Sequence, residues 1–284
     1  MTKLQKRLIV ILSILLVLVL CFDISLANAF YRAPNQLQVN YITLESEDIP
    51  ESMNDVSILY FTDLQYGTFE NKERLETLEK EIDYLEPDIC IFGGDLFDTD
   101  TVLDSQTKKT IRSFLSNIDA PLGKFAVLGE KDTQDSARKQ AVLKIYKQSQ
   151  VEVLTNQSVL LTNRSSDGIH LVGLQSSAHI AKATAHTSGK TYDLLVCHKP
   201  DLLTDESLAD RSIDFALAGH SHGTQITYPF FGGYRTEKGA EKLNRSESQD
   251  LSFDYEISAG VGCTRVNARY NADPEVDYII LQHK

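Results

Sequence analysis

No low-complexity tract interrupts these 284 residues, no cysteine pair is spaced C-x-x-C, and no basic patch occurs beyond the first few residues. Each absence narrows the field. With 42% apolar and 24% charged residues and no biased tract, the composition argues against disorder as the main state. The four cysteines, Cys21, Cys90, Cys197 and Cys263, are scattered, and two of them fall inside apolar runs that read as strands. They imply no disulfide framework and read as small buried hydrophobes. A formal charge of -12 without a basic patch argues against a nucleic-acid partner. An anionic substrate would then need a local positive centre, such as a metal.

What is present begins at the N-terminus. Lys3, Lys6 and Arg7 precede an apolar run of 15 residues, Leu8 to Phe22. That is shorter than the roughly 20 residues a spanning helix prefers. It fits a signal-peptide core, and "LANA" offers a small-x-small cleavage site after Ala29. If residues 24 to 30 extend the helix, the same segment is an uncleaved signal anchor. Either reading keeps the positive end in the cytoplasm and sends the body across. The expected location is the extracytoplasmic face of the cell membrane, or the cell wall or medium after cleavage. The expected organisation is a signal anchor or signal peptide over 1–29, a stalk, linker or edge strand over 30–52, and one α/β domain over 53–284.

Within that domain an apolar run repeatedly ends at a Gly or polar residue, often before an amphipathic helix. "VSILYFTD" ends at Asp63, and Leu75, Leu78, Ile82 and Leu85 then recur at helical spacing. "DICIFGGD" ends at Asp95, and "KFAVLGEKD" runs into Glu130, Lys131 and Asp132. Asp132 or Thr133 can cap a helix through "QDSARKQAVLKIYKQ". "TYDLLVCH" ends at His198, and "IDFALAGHSH" ends at His220 and His222. The tail from Thr224 reads as short strands and turns. The alternation predicts α/β layers around a mostly parallel sheet, finished by a more antiparallel region.

Ligands of α/β sheets collect beyond the carboxyl ends of strands. Five strand ends on one rim would gather Asp63, Asp95, Glu130, His198, His220 and His222. An Asp after a strand is ordinarily a turn residue, so the weight rests on the whole ordered set. Carboxylates and imidazoles without cysteine suit manganese, iron or zinc. Several carboxylates on one rim repel one another unless cations lie between them.

The blocks "FTDLQ", "GGDLFD", "GEKD", "CHKPD" and "GHSHG" resemble the ordered signature of the calcineurin-like metallophosphoesterases, D-x-H, G-D, G-N-H-[DE], H and G-H-x-H. The tail "ISAGVGCTRVNARYNADPEVDYIIL" is similar to that of a membrane-associated bacterial branch, which includes a cell-wall phosphoesterase of Bacillus. The resemblance implies a four-layer α/β/β/α sandwich, here preceded by one N-terminal hydrophobic segment, and two divalent metal ions. By that resemblance Asp63 and His222 hold the first metal, Asp95 bridges, and His198 and His220 hold the second. Three positions depart from the pattern. Gln65 stands where a His ligand of the first metal is expected, Glu130 replaces an Asn ligand of the second, and Lys131 replaces the His that assists catalysis.

Gln65 and Glu130 offer hard oxygen ligands, which shift preference towards manganese or magnesium. Lys131 offsets the charge of Glu130 and could meet phosphate oxygens as a catalytic residue beside Asp95. The implied function is an exported, membrane-associated phosphoesterase acting on a mono- or diester through a hydroxide activated between two metals. Its substrate would be a phosphorylated small molecule, lipid head group or cell-envelope component. The alternative is a non-catalytic or single-metal envelope protein that keeps the fold.

Overall fold

A computed structural model describes residues 2–69, 72–187, 189–246 and 248–284. The chain opens with helix α1 (Lys3–Ala27), continued by a π-helical turn over Asn28–Arg32. No residue of α1 is buried, and by length and composition it can cross a membrane. Helical backbone therefore runs well past the 15-residue apolar run, through the stretch on which the anchor reading depended.

Along the rest of the chain come β1 (Gln38–Ser46), β2 (Ser57–Phe61), α2 (Lys72–Leu85), β3 (Ile89–Phe92), α3 (Ser105–Asn117), β4 (Gly123–Ala126), α4 (Ser136–Gln148), β5 (Val151–Val153), β6 (Gln157–Thr162) and β7 (Gly168–Leu174). They are followed by α5 (Ile180–Ala183), β8 (Asp193–Cys197), α6 (Glu206–Ala209), β9 (Phe215–Ala218), β10 (Thr227–Tyr228), β11 (Gly232–Gly233), β12 (Asp254–Ile257) and β13 (Glu275–His283). Residues 38–46, within the stretch read as stalk, linker or edge strand, are the edge strand β1.

Among the described residues two large sheets form, with strand orders β1-β13-β2-β3-β4-β5 and β12-β9-β8-β7-β6, beside the two-stranded β10-β11. The alternation of side chains along each strand divides the core. Ile58 and Tyr60 of β2, Ile89 and Ile91 of β3, and Phe125 of β4 face the second sheet, where Ile169, Leu171, Leu194, Val196 and Leu217 meet them. Leu59, Phe61, Cys90, Phe92 and Ala126 face the other way. Against them pack Leu75, Leu78, Ile82 and Leu85 of α2, Ile111 and Phe114 of α3, and Val142, Ile145 and Tyr146 of α4. Burying each such side chain contributes about 1.5–3 kcal/mol. The far face of the second sheet, with Val172, Leu195, Cys197, Ala216 and Ala218, is covered by the short helices α5 and α6 and neighbouring loops. The layers are thus α/β/β/α, the fourth being thin.

Two local expectations change. Helix α4 is capped by Asp135, whose carboxylate accepts the Arg138 N–H at 2.8 Å, and not by Asp132 or Thr133. The tail is less antiparallel than its turn-rich sequence suggests. β12 joins β9 in parallel, β13 inserts between β1 (parallel) and β2 (antiparallel), and β10 and β11 form a small hairpin.

Candidate metal centre

β2, β3 and β4 are parallel neighbours in one sheet, as are β8 and β9 in the other. Their carboxyl ends carry Asp63, Asp95, the Glu130–Lys131 turn, His198 and the His220–His222 loop. The turns that follow are tight. Asp63, Gln65, Asp95, His220 and His222 all have φ between 50° and 67°, the left-handed region that side chains other than glycine rarely adopt. Such strain, of order 1–3 kcal/mol per residue, persists only where the surroundings over-determine it.

Asp95, His198 and His220 are all buried, and each offers one ligand atom within 4.8 Å of the others. Carbonyl oxygens only accept, so they fix both tautomers. His198 Nδ1–H donates to Gly93 O at 2.8 Å, and His220 Nε2–H donates to Lys238 O at 3.0 Å. That leaves the lone pairs of His198 Nε2 and His220 Nδ1 for the cluster, the carbonyl-oriented arrangement of metal-binding histidines. His198 Nε2 is buried with no hydrogen-bond partner among the described residues, 3.5 Å from Asp95 Oδ2. Burial alone would lower the His198 pKa, but the Asp95 and Asp63 carboxylates override it and raise it to about 9. Burial likewise pushes Asp95 up, yet His198 and Lys131 hold it well below the usual carboxylate range. The strong attraction between these groups, the orphaned Nε2 and the two imidazoles with one carboxylate fit a divalent ion.

Backbone crowding explains the glycines here. Gly94 has φ +101°, and a Cβ on it would lie 2.6 Å from Gly129 N and 2.9 Å from His198 Nδ1.

Beside this group lie Asp63, Gln65 and His222. Asp63 Oδ2 accepts the His220 N–H and the Thr62 hydroxyl, both at 2.8 Å, and Oδ1 lies 3.5 Å from His222 Nε2. Burial pushes His222 down to about 3. Gln65, expected to offer its amide oxygen, turns the other way. Its Oε1 accepts from Lys131 Nζ at 2.7 Å, while Nε2 faces Asp95 Oδ2 at 3.1 Å and Asp63 Oδ1 at 3.3 Å. An ammonium only donates, so the Lys131 contact fixes the amide's orientation.

No protein-family model matches the chain. Curated relatives do. It is 23% identical over 271 residues to the uncharacterized metallophosphoesterase YkuE of Bacillus subtilis, an alignment covering 89% of this chain and 88% of that one. It is 27% identical over 256 residues to an uncharacterized metallophosphoesterase of Aquifex aeolicus, covering 87% and 93%. It is 24% identical over 261 residues to a bovine transmembrane protein with a metallophosphoesterase domain, covering 82% of this chain and 54% of that protein.

The chain is similar to metallophosphoesterases over most of its length.

In this chain the third block diverges most from the signature. The Glu130 carboxylate, expected as a metal ligand, points outward: it is 42% exposed and pairs with Lys199 Nζ at 2.6 Å. Glu130 is therefore outside the Asp95–His198–His220 group. The Lys131 side chain is 11% exposed, and its ammonium is held by Gln65 Oε1, by Thr264 Oγ1 at 3.0 Å and by Asp98 Oδ1 at 3.4 Å. Asp95 Oδ2 is 3.8 Å away. Lys131 thus reaches the cluster, but from a fixed position rather than as a free arm.

Sequence reasoning missed three residues, Asp98, Thr264 and Arg269, and read a fourth, Asp132, as a helix cap. Asp98 and Thr264 hold Lys131, and Thr264 Oγ1–H also donates to Asp98 Oδ1 at 3.2 Å. Asp132 accepts the N–H groups of Asp95, Leu96 and Gly129, each at 2.9 Å, tying two strand-end loops together. The buried Arg269 guanidinium donates to the carbonyls of His222 and Ala272 at 3.1 and 3.0 Å and to Ala259 and Gly260 at 2.9 and 3.0 Å. Its backbone N–H donates to Ala29 O at 2.9 Å, at the end of the apolar helix. The only sequence signal was their membership of the blocks "GGDLFD", "GEKD" and the "GVGCTRVNARY" tail. A pocket beside His222 is lined by Tyr234, Arg235, Glu237, Thr264 and Arg265.

Proposed function

We propose that this chain is a metallophosphoesterase that hydrolyses a phosphate ester at a membrane surface, using a divalent metal, manganese first among candidates, held by Asp95, His198 and His220. The observation that carries the reading is that buried three-residue group with its orphaned His198 Nε2. A divalent ion bound there would supply Lewis acidity, polarising a phosphoryl oxygen and lowering the pKa of a water for attack.

The chain's own residues do the rest. Gly93 O and Lys238 O keep both imidazoles in the ligating tautomer. Asp95 is anchored by the Lys131 N–H on Oδ1 at 2.9 Å. Arg235 and Arg265, both paired with Glu237, line the pocket beside His222, where they can meet the non-bridging oxygens of a phosphate.

Three features support a membrane surface. Helix α1 is long and apolar enough to span, and the charges of Lys3, Lys6 and Arg7 favour an extracytoplasmic body. The tip of the β10–β11 hairpin exposes Phe230 completely and Phe231 to 89%, with Tyr234 at 66% beside the pocket. The hairpin base is joined to the end of α1: Thr227 N–H donates to Tyr270 O at 2.8 Å, and the adjacent Arg269 binds Ala29 O. Aromatic side chains of this kind favour the interface between water and lipid. A phosphorylated lipid head group or envelope component is the substrate class this arrangement favours.

The test is turnover of an aryl phosphodiester and an aryl phosphomonoester with added manganese, magnesium, iron or zinc. We expect metal-dependent turnover that falls at least about a hundredfold in Asp95→Asn. No turnover with any metal and either ester would overturn the enzyme reading.

A further inference from the structure

We propose that the metal position which family resemblance assigns to Asp63, Gln65 and His222 is closed in this chain by the Lys131–Gln65 pair, so that the centre takes one divalent ion, on Asp95, His198 and His220. This rests on the metal-dependent reading above and refines it.

Three observations converge. First, the Gln65 amide presents hydrogens, not a lone pair, to the assigned position. Nε2 bridges Asp63 Oδ1 and Asp95 Oδ2 at 3.3 and 3.1 Å, and it lies 3.5 Å from His222 Nε2. The two N–H groups of an amide are thereby directed at the two carboxylates that would ligate an ion there. Turning the amide over would give the ion an oxygen, but it would set an NH2 group 2.7 Å from the Lys131 ammonium, donor against donor.

Second, Lys131 is not free to withdraw. Its three donors have three acceptors, Gln65 Oε1, Thr264 Oγ1 and Asp98 Oδ1, and its side chain is 11% exposed. Its backbone N–H is also committed, to Asp95 Oδ1. Losing these contacts would leave the buried Asp98 carboxylate, 4% exposed at the side chain, without its cation.

Third, the charges close with a single ion. Asp63, Asp95 and Asp98 supply three negative charges and Lys131 one positive charge, so the contacting side chains sum to minus two when the histidines are neutral. One divalent cation brings that to zero. A second would raise it to plus two in a buried site, with the ammonium only 3.8 Å from Asp95 Oδ2. Lys131 thus supplies a fixed positive charge in place of that of a second ion.

The experiment is metal stoichiometry on the full-length, detergent-solubilised protein. Manganese is added to saturation, unbound metal is dialysed away, and bound metal is counted by mass spectrometry beside electron paramagnetic resonance. We expect one manganese per chain and the spectrum of an isolated ion, and two per chain with an exchange-coupled spectrum in the double variant Gln65→His, Lys131→His. Two coupled ions in the wild type would overturn this inference while leaving metal-dependent hydrolysis standing. No bound metal at all would overturn both. The wild-type spectrum decides the matter by itself if the double variant does not fold.

Discussion

The carboxylate of Asp132 holds the backbone N–H of Asp95 at 2.9 Å, and the same carboxylate holds Gly129 and Leu96 at the same distance. One buried side chain thus sets the separation of the loops that follow β3 and β4. Removing it strands three buried donors, each costing about 1–3 kcal/mol. Asp132→Ala is expected to lower stability by at least about 3 kcal/mol, with Asp132→Asn recovering part of the loss. Urea midpoints of the three proteins check this, and equal midpoints would mean that water satisfies those amides.

Glu130 pairs with Lys199 at the surface, where ion pairs are worth less than about 1 kcal/mol. Glu130→Ala should therefore leave bound metal per chain unchanged and shift stability by less than that amount. If dialysis strips metal from Glu130→Ala but not from wild type, the outward position is not the one that operates when metal is bound.

A third prediction concerns pH. Asp277 on β13 is buried beside Asn40, whose Nδ2 donates to its Oδ1 at 3.0 Å. Burial, with Glu275 and Glu256 nearby, raises its pKa well above the usual carboxylate range. A folded pKa above the unfolded value of about 3.9 means that the contribution is full below about pH 3.9 and is lost as pH rises towards the folded pKa. Asp277→Asn keeps the Asn40 bond and cannot ionise. Its urea midpoint should exceed that of wild type at pH 8, and the gap should narrow towards pH 4. A gap independent of pH would show that Asp277 ionises as readily folded as unfolded.

The exposed hairpin gives the fourth. The double substitution Phe230→Ser, Phe231→Ser should lower the ratio of turnover on a phospholipid in phosphatidylcholine–phosphatidylglycerol vesicles to turnover on a soluble aryl phosphodiester. A fall of about tenfold matches the loss of roughly 1.4 kcal/mol of interfacial contact. An unchanged ratio would remove the hairpin from any role at the interface.

Much of the architecture was legible because its signals are local. Leu75, Leu78, Ile82 and Leu85 lie on one buried face of α2, as their spacing predicts. The apolar runs ending in Asp63, Asp95, His198 and His220 are strands β2, β3, β8 and β9 followed by tight loops. What was not legible depends on partners far away in sequence. The Lys131 ammonium is oriented by Gln65, Asp98 and Thr264, which lie 66, 33 and 133 positions away. Nothing within "GEKD" tells which of two adjacent charges turns inward. The insertion of β13 between β1 and β2 is equally invisible, because a strand's pattern reports its faces and not its neighbours.

Arg269 has one more consequence. It grips Ala29 by the carbonyl, and Ala29 is 6% exposed within a helical turn. A peptidase needs an extended, accessible segment, and the finished fold does not present one at that bond. The bond after Ala29 is therefore shielded once the Arg269 region, some 240 residues later in the chain, has been made and has closed over it: cleavage there belongs to the time of synthesis and not to the finished fold.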